Sequence, residues 1–411
     1  MAKRPQPTDK LRKIAQVGSV FTPGAPIDDY SLFGGRMDQV LDVINTVGQK
    51  GRHVILYGER GVGKTSLANV LAEVFEGFDN FKLKSVGVNC QTTDDFANLW
   101  SNIFRELEWS GNGEWDGRTP DEPEQIRYAL ERLDVQALIV IDELDRFEDD
   151  PGLSLLADTV KTLSDHATAV TLVLVGVADS VDDLLGDHYS VGRALNQVHL
   201  PRMSAVELEE IVDKGLSELL LEIKPDARKR IARLSEGLPF YTHSLALHAG
   251  QRAVSDDRDV IEDVDVSRAV ELVVSKTQHS IQTAYEKAIR SPRKDTLFEQ
   301  VMLACALAPK GPLGHFTAGA VREPMSRIMG EEVDISKFNR HMNAFAGEKR
   351  GRALEKSGEE RGWFYRFRDP LLQPFVILNG LASNKIDEKL VAEMQVKGED
   401  ATNATAPERL F

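Results

Sequence analysis

The segment Gly58-Glu59-Arg60-Gly61-Val62-Gly63-Lys64-Thr65 constrains this chain more than any other. It fits the pattern G-x-x-x-x-G-K-[ST], and it lies between the apolar run 53–57 and a helical pattern over residues 66–75. A strand that ends in such a loop and re-enters as a helix begins a parallel α/β sheet. The glycines let successive backbone N–H groups turn inward around phosphate oxygens, and the following helix points its positive end at the same place. In this reading Gly58, Glu59, Arg60, Gly61, Val62, Gly63, Lys64, Thr65 and Ser66 line a nucleotide, with Lys64 reaching the β- and γ-phosphates and Thr65 holding Mg2+. By itself the loop says only that ATP or GTP is held.

Further runs of strand length recur at residues 85–88, 137–141, 170–177 and 197–200, separated by stretches of helical spacing such as 36–47, 94–107 and 123–133. Alternating strands and helices predict a parallel sheet covered on both faces. The run 137–141 is expected beside the phosphate-loop strand, and it delivers Asp142 and Glu143 at its carboxyl end, where open α/β sheets bind ligands. Asp142 then holds the metal and Glu143 orients and deprotonates a water, although an acid pair that only caps the next helix has the same spelling.

The remainder reads differently. Residues 1–30 are rich in Pro, Gly and charge and are expected to form a mostly extended arm, with a short amphipathic piece near residues 11–17. The P-loop core is expected over 31–201. Beyond Pro201 the pattern becomes helical: Ser204 and Glu207 form a capping box, Pro225 opens a helix, Gly237 closes it and Pro239 opens another. A helical unit is assigned to 202–275, with one long helix over residues 264–289 leading into a third unit, 276–382, of helices and a β-hairpin. The polar stretch 383–411 is expected to be a flexible tail, and residues 110–121 a surface loop.

Composition limits the function. A formal charge of −15 argues against a protein that coats nucleic acid over its whole surface. The exception is local: Lys337, Arg340, Lys349, Arg350, Arg352, Lys356, Arg361, Arg366 and Arg368 outnumber the acids between residues 337 and 369. That run suits contacts to DNA backbone phosphates; the other reading is a solvated hairpin in a domain that mediates protein contacts. Trp363, Tyr365 and Phe367 alternate, which places one face of a strand in a core. Two distant cysteines, no apolar segment of membrane-spanning length and no secretory leader lead to the expectation of a cytoplasmic protein without disulfides or membrane contact.

Residues 32–254 resemble an AAA+ ATPase, in particular the branch containing the origin-recognition initiators and the STAND ATPases. Phe33-Gly34-Gly35-Arg36 looks like the entry box that helps enclose adenine, and Asp142-Glu143-Leu144-Asp145 is similar to the extended acidic motif. The resemblance implies a γ-phosphate sensor at Asp179 or Ser180; Asp179 departs from the usual Asn, and either residue also suits a helix cap. It implies an arginine finger entering a neighbouring subunit at Arg193, with Arg202 as competitor, although each also suits a surface salt bridge. The lid segment lacks the arginine many relatives carry; its Gly237-Leu238-Pro239 resembles the STAND turn, in which the proline packs near the nucleotide, while an ordinary helix stop and start accounts for it equally. Residues 277–381 are similar to a winged-helix domain. Two functions follow as expectations. One is a Mg-ATP-hydrolysing switch or assembly factor, oligomeric and associated with double-stranded DNA. The alternative is an ATP/ADP-gated module that holds a protein partner, with little hydrolysis and no DNA binding.

Overall fold

A computed structural model describes residues 7–76, 83–109, 119–133, 135–185, 191–292, 296–358 and 362–405. The chain divides into two compact units, one formed by Ala25–Pro201 and the other by the residues up to Gly24 together with those from Arg202 onward.

The first element of the chain, helix α1 (Pro7–Val20), belongs to the second of these units. The Ala25–Pro201 unit then runs α2 (Met37–Val47), β1 (His53–Gly58), α3 (Lys64–Glu76), β2 (Leu83–Asn89), α4 (Phe96–Glu106), α5 (Pro123–Glu131), β3 (Gln136–Asp142), α6 (Asp150–Asp165), β4 (Val170–Val177), α7 (Asp182–Leu185) and β5 (Leu195–His199). All five strands are parallel, in the order β2-β3-β4-β1-β5. Ile139, Leu172, Leu174 and Ile55 are fully buried, and helix α4 lays Phe96, Leu99, Trp100 and Ile103 on the same core. One expectation is corrected here. β3 is not beside β1: β4 lies between them, pairing Val54 with Val173 on one side and Ile139 with Leu172 on the other. Both β3 and β4 are apolar runs, so strand composition cannot decide which one enters first.

His53, at the start of β1, is wholly buried, and its Nδ1 accepts the Leu172 N–H at 3.0 Å. Protonating Nδ1 would destroy that bond. Burial, reinforced by Arg52, holds the ring down to about 4 from the usual 6.5. Above pH 6.5 both folded and unfolded chains keep this histidine neutral, and it does not affect stability. Between 6.5 and about 4 only the unfolded chain takes up the proton, so stability falls as pH falls. The expected loss is about 1.4 kcal/mol per pH unit. Denaturant titrations across this window should show the slope in the wild type, and His53→Gln should flatten it.

The second unit continues with α8 (Ala205–Glu218), β6 (Glu222–Ile223), α9 (Pro225–Leu234), α10 (Pro239–Ser255), β7 (Val260–Ile261), α11 (Asp263–Lys276), α12 (His279–Ile289), α13 (Phe298–Leu307), β8 (Phe316–Thr317), α14 (Ala318–Met329), α15 (Ile335–Phe345), β9 (Leu354–Ser357), β10 (Phe364–Phe367), α16 (Leu372–Ala382) and α17 (Glu388–Thr405). The capping box forms as read: Ser204 Oγ accepts the Glu207 N–H at 3.3 Å, and Glu207 Oε2 accepts the Ser204 N–H at 2.8 Å. Pro225 and Pro239 open α9 and α10.

Three readings are corrected. The arm is not extended over residues 7–20 but helical, with Val17 at the end of α1 and Phe21 just beyond it buried against α8 and α10. The long helix 264–289 is broken at Thr277 and Gln278, both non-helical at ψ 149 and 134, which separates α11 from α12. The stretch 388–405 is a helix, not a flexible tail, because Leu390, Val391 and Met394 form a buried stripe. In the first and the last, a few apolar side chains are buried in a way that local composition does not reveal. Residues 110–118, most of the expected surface loop, and residues 406–411 lie outside the described residues.

From Phe298 onward the order is helix, strand, two helices, two strands, with β10 central in a three-stranded antiparallel sheet β8-β10-β9. Tyr365 and Phe367 face its core, as their alternation implies, whereas Trp363 is partly exposed under Lys356.

Candidate nucleotide site

The phosphate-loop segment leaves β1 at the carboxyl edge of the sheet. Gly58 has φ +150, and a Cβ there would lie 2.3 Å from the Leu200 carbonyl oxygen, so only glycine lets the chain turn away from β1 at this point. Gly61 and Gly63, at φ +85 and +96, continue the turn into α3. Lys64 opens that helix, is 7% exposed, and donates to the carbonyls of Gly58 at 3.0 Å and Glu59 at 2.8 Å. Burial pulls its ammonium down to about 8, against the opposing pull of Asp145, Asp142 and Glu59. A buried cation folded onto its own loop fits a site built for a polyphosphate.

Asp142 ends β3 and is also buried. Its carboxylate is hydrogen-bonded to the Thr65 hydroxyl and accepts the Glu143 N–H at 2.7 Å. Burial raises its pKa against those bonds. A hydroxyl and a buried carboxylate in contact are an oxygen donor pair of the type Mg2+ takes. Asp145 Oδ1 accepts the Val177 N–H at 2.7 Å, which ties the turn after β3 to the end of β4. Glu143 is left-handed, at φ +54, and its Oε2 accepts from Arg146 Nη1 at 2.7 Å across a single 3₁₀ turn.

Arg36, just before α2, is 2% exposed and donates to the carbonyls of Val62, in the loop, and Pro201. It therefore reaches the loop through backbone. Asp179 and Ser180 follow β4, whose Val177 pairs with Gly58, so they flank the loop. Ser66 does not turn to the loop: its Oγ accepts the Ile27 N–H at 3.1 Å. Glu59 is half-buried and Arg60 exposed.

Arg193 lies elsewhere. It precedes β5, where Leu195 pairs with His53, so it stands at the amino end of the sheet while the loop leaves from the carboxyl end. Five strand steps separate the two levels, about 17 Å. Its guanidinium is exposed and makes no hydrogen bond or ion pair among the described residues, while its carbonyl accepts from Arg52. Arg202 and Pro239 belong to the second unit; Arg202 donates to Gln373 and Glu236, and Pro239 is the first residue of α10.

Two residues near the site escaped the sequence reading. Arg146 pairs with Glu143 only because the 3₁₀ turn closes the i, i+3 distance. His199 ends β5 with its ring 5.1 Å from that of Tyr57, and its pKa is lowered by burial and by Arg36 against Glu59 and Asp179. The available signal was position alone: a polar residue at the carboxyl end of a strand neighbouring β1.

Residues 47–185 match a family model described as an AAA domain. No curated protein matches the sequence significantly. Among solved structures the chain is similar to Cdc6p from Pyrobaculum aerophilum, at 18% identity and TM-score 0.50 over 92% of this chain and 98% of that one. It is also similar to a Walker-type ATPase of Pyrococcus abyssi, at 16% identity and TM-score 0.50 over 87% of this chain and 99% of that one. The glycine-turned loop with buried Lys64, beside the Thr65 hydroxyl and the Asp142 carboxylate, has the donor set that suits a nucleotide's phosphates and Mg2+. With the domain model matched at residues 47–185 and the sheet order β2-β3-β4-β1-β5 around the loop, the chain has the AAA+ P-loop fold.

Proposed function

We propose that the protein is a Mg-ATP-dependent ATPase acting as a nucleotide-controlled switch or assembly factor, oligomeric through Arg193 and associated with DNA through its C-terminal domain. The observation that carries the reading is the convergence of buried Lys64, Thr65 and buried Asp142 on one glycine-turned loop. Lys64 neutralises the β- and γ-phosphates, and Thr65 and Asp142 hold Mg2+, which when bound supplies charge stabilisation at the phosphates. Glu143 orients and deprotonates the attacking water once it leaves Arg146. Asp179 or Ser180 senses the γ-phosphate beside Gly58. Arg193 cannot reach its own loop from the far end of β5, which supports a role in the site of a second copy, where a planar guanidinium stabilises transferring phosphate. Initiator-like, transposition-regulator-like and defence-type roles all fit this chemistry.

For DNA, the order of elements from α13 to β10 supports a winged-helix reading, and α15 turns Ser336, Lys337, Arg340 and Asn343 outward. A different observation favours the alternative of a protein-binding module with little hydrolysis. Much of the expected basic patch is engaged: Arg352 pairs with Glu348, Arg366 with Glu355 and Lys337 with Glu331. Arg350 lies over Phe298 and binds the Ala288 and Arg290 carbonyls. Arg361 lies outside the described residues.

ATP turnover with and without duplex DNA decides between them. Glu143→Gln should lower turnover by about 100-fold or more, since a general base contributes roughly 10²–10⁴. Arg193→Ala should lose a comparable amount while still binding ATP. Turnover indifferent to Glu143→Gln removes the enzyme reading, and binding indifferent to DNA or salt leaves the protein-binding module.

A further inference from the structure

Gln373, in the first turn of α16, is 1% exposed and polar, and both ends of its amide are used. Oε1 accepts from Arg202 Nη1 at 2.7 Å, while Nε2 donates to Glu236 Oε2 at 2.8 Å and to the Ala306 carbonyl at 3.2 Å. The amide thus bridges a cation and an anion. Its orientation is fixed by charge, since a flipped amide would point NH2 at the guanidinium and oxygen at the carboxylate. Arg202 also donates to the Glu236 carbonyl at 3.2 Å, and Gln395 of α17 donates to Glu236 Oε1 and to the Arg233 carbonyl.

Arg202, just before α8, and Glu236, between α9 and α10, sit at junctions. Glu236 is left-handed and leads into Gly237, whose φ of +78 places a would-be Cβ 2.6 Å from the Arg202 side chain. The Gly237 carbonyl accepts the Met203 N–H at 2.9 Å. Gln373 and Gln395 come from the helices that close the C-terminal domain. Beside them Tyr241, near the start of α10, is fully buried and donates to the Leu371 carbonyl, and Arg230 and Arg233 of α9 hold Glu388 of α17.

We propose that Arg202, Glu236, Gln373 and Gln395 form a polar joint that makes the helical lid (α8–α11) and the C-terminal domain (α12–α17) one moving body. A change at the Gly237 turn is then carried into the C-terminal domain instead of being absorbed between it and the lid. Partly buried charges with satisfied partners resist sliding, because shifting one member strands the others without hydrogen bonds. This gives Arg202 a task different from that of a finger. The proposal draws on the ATP reading only for what drives the movement.

The test is a spin-label distance between lid and C-terminal domain, with labels at Val206→Cys and Lys349→Cys, both exposed positions. The native thiols of Cys90 and Cys305 are buried and pushed up to about 12, so the introduced cysteines label selectively. The wild type should give one narrow distance, unchanged by ADP or a non-hydrolysable ATP analogue. Gln373→Met, which keeps length and removes the amide, and Arg202→Met should each broaden it about twofold even without nucleotide, and Arg202→Lys should restore it. Gln395→Met, at the edge of the network, gives the same comparison if Gln373→Met does not fold. A wild-type distance that moves with nucleotide, or variants as narrow as wild type, overturns the joint. Binding of a fluorescent ATP analogue is followed in the same samples: its absence in the wild type overturns the ATP reading, while the nucleotide-free widths still decide the joint.

Discussion

Lys64→Met should weaken nucleotide binding by roughly 10²–10⁴-fold and, in the same protein, raise the unfolding temperature of the nucleotide-free form. The two effects share one cause. The Lys64 ammonium is 7% exposed and pulled down to about 8 by burial, so the empty site pays for holding a charge that water would solvate better. Its bonds to the Gly58 and Glu59 carbonyls offset part of this cost, and methionine of similar length removes the remainder for a net gain of about 1 kcal/mol. With a polyphosphate present the balance reverses. Losing one member of a buried charge pair costs about 3–5 kcal/mol, or roughly 10²–10⁴-fold in affinity. Titration with a fluorescent ATP analogue and thermal unfolding of the same preparations check both halves; a variant that binds ATP as tightly as wild type, or that is destabilised, contradicts this account of the loop. The pH dependence has a definite sign. The ammonium is charged below about 8 in the empty site, so affinity should be full there and fall as pH rises beyond it.

Phe21→Ala should destabilise the second unit by about 3–5 kcal/mol, a large part of the stability of an ordinary domain. Phe21 is 1% exposed; a Cβ on Gly215 would lie 2.6 Å from its ring, and its ring stands edge-on to His243 at 5.9 Å. Gly250 gives Val17 the same clearance, with 3.1 Å to a would-be Cβ. The ion pairs Lys10–Asp257 and Lys13–Asp259 are exposed and add little. Because Phe21 and Lys64 lie in different units, Phe21→Ala should lower one unfolding transition and ATP should raise the other. Calorimetry of wild type and variant with and without ATP separates them. A Phe21→Ala protein with unchanged transitions would mean that α1 is not part of the core.

The same contrast separates what the residues spell locally from what distant packing adds. The phosphate loop, β4 at its full extent, the capping box at Ser204 and the proline starts of α9 and α10 are written in short windows, because backbone conformation at glycine, proline and caps is decided by neighbouring residues. The place of Asp142 and Glu143, at the end of β3, was also legible, since a carboxyl end of a buried strand is a place that sequence alone can name.

Tertiary structure decided the rest. It inserted β4 between β1 and β3, packed α1 against the distant α10, buried an apolar stripe of α17, and gave Arg202 to Gln373 while leaving the Arg193 guanidinium exposed. It also spent several basic residues of the 337–369 run on nearby carboxylates. The physical reason is common to all of these. Burial, strand pairing and charge pairing depend on which surfaces meet, and a partner such as Gln373 for Arg202, 171 residues away, leaves no mark in the local sequence of either.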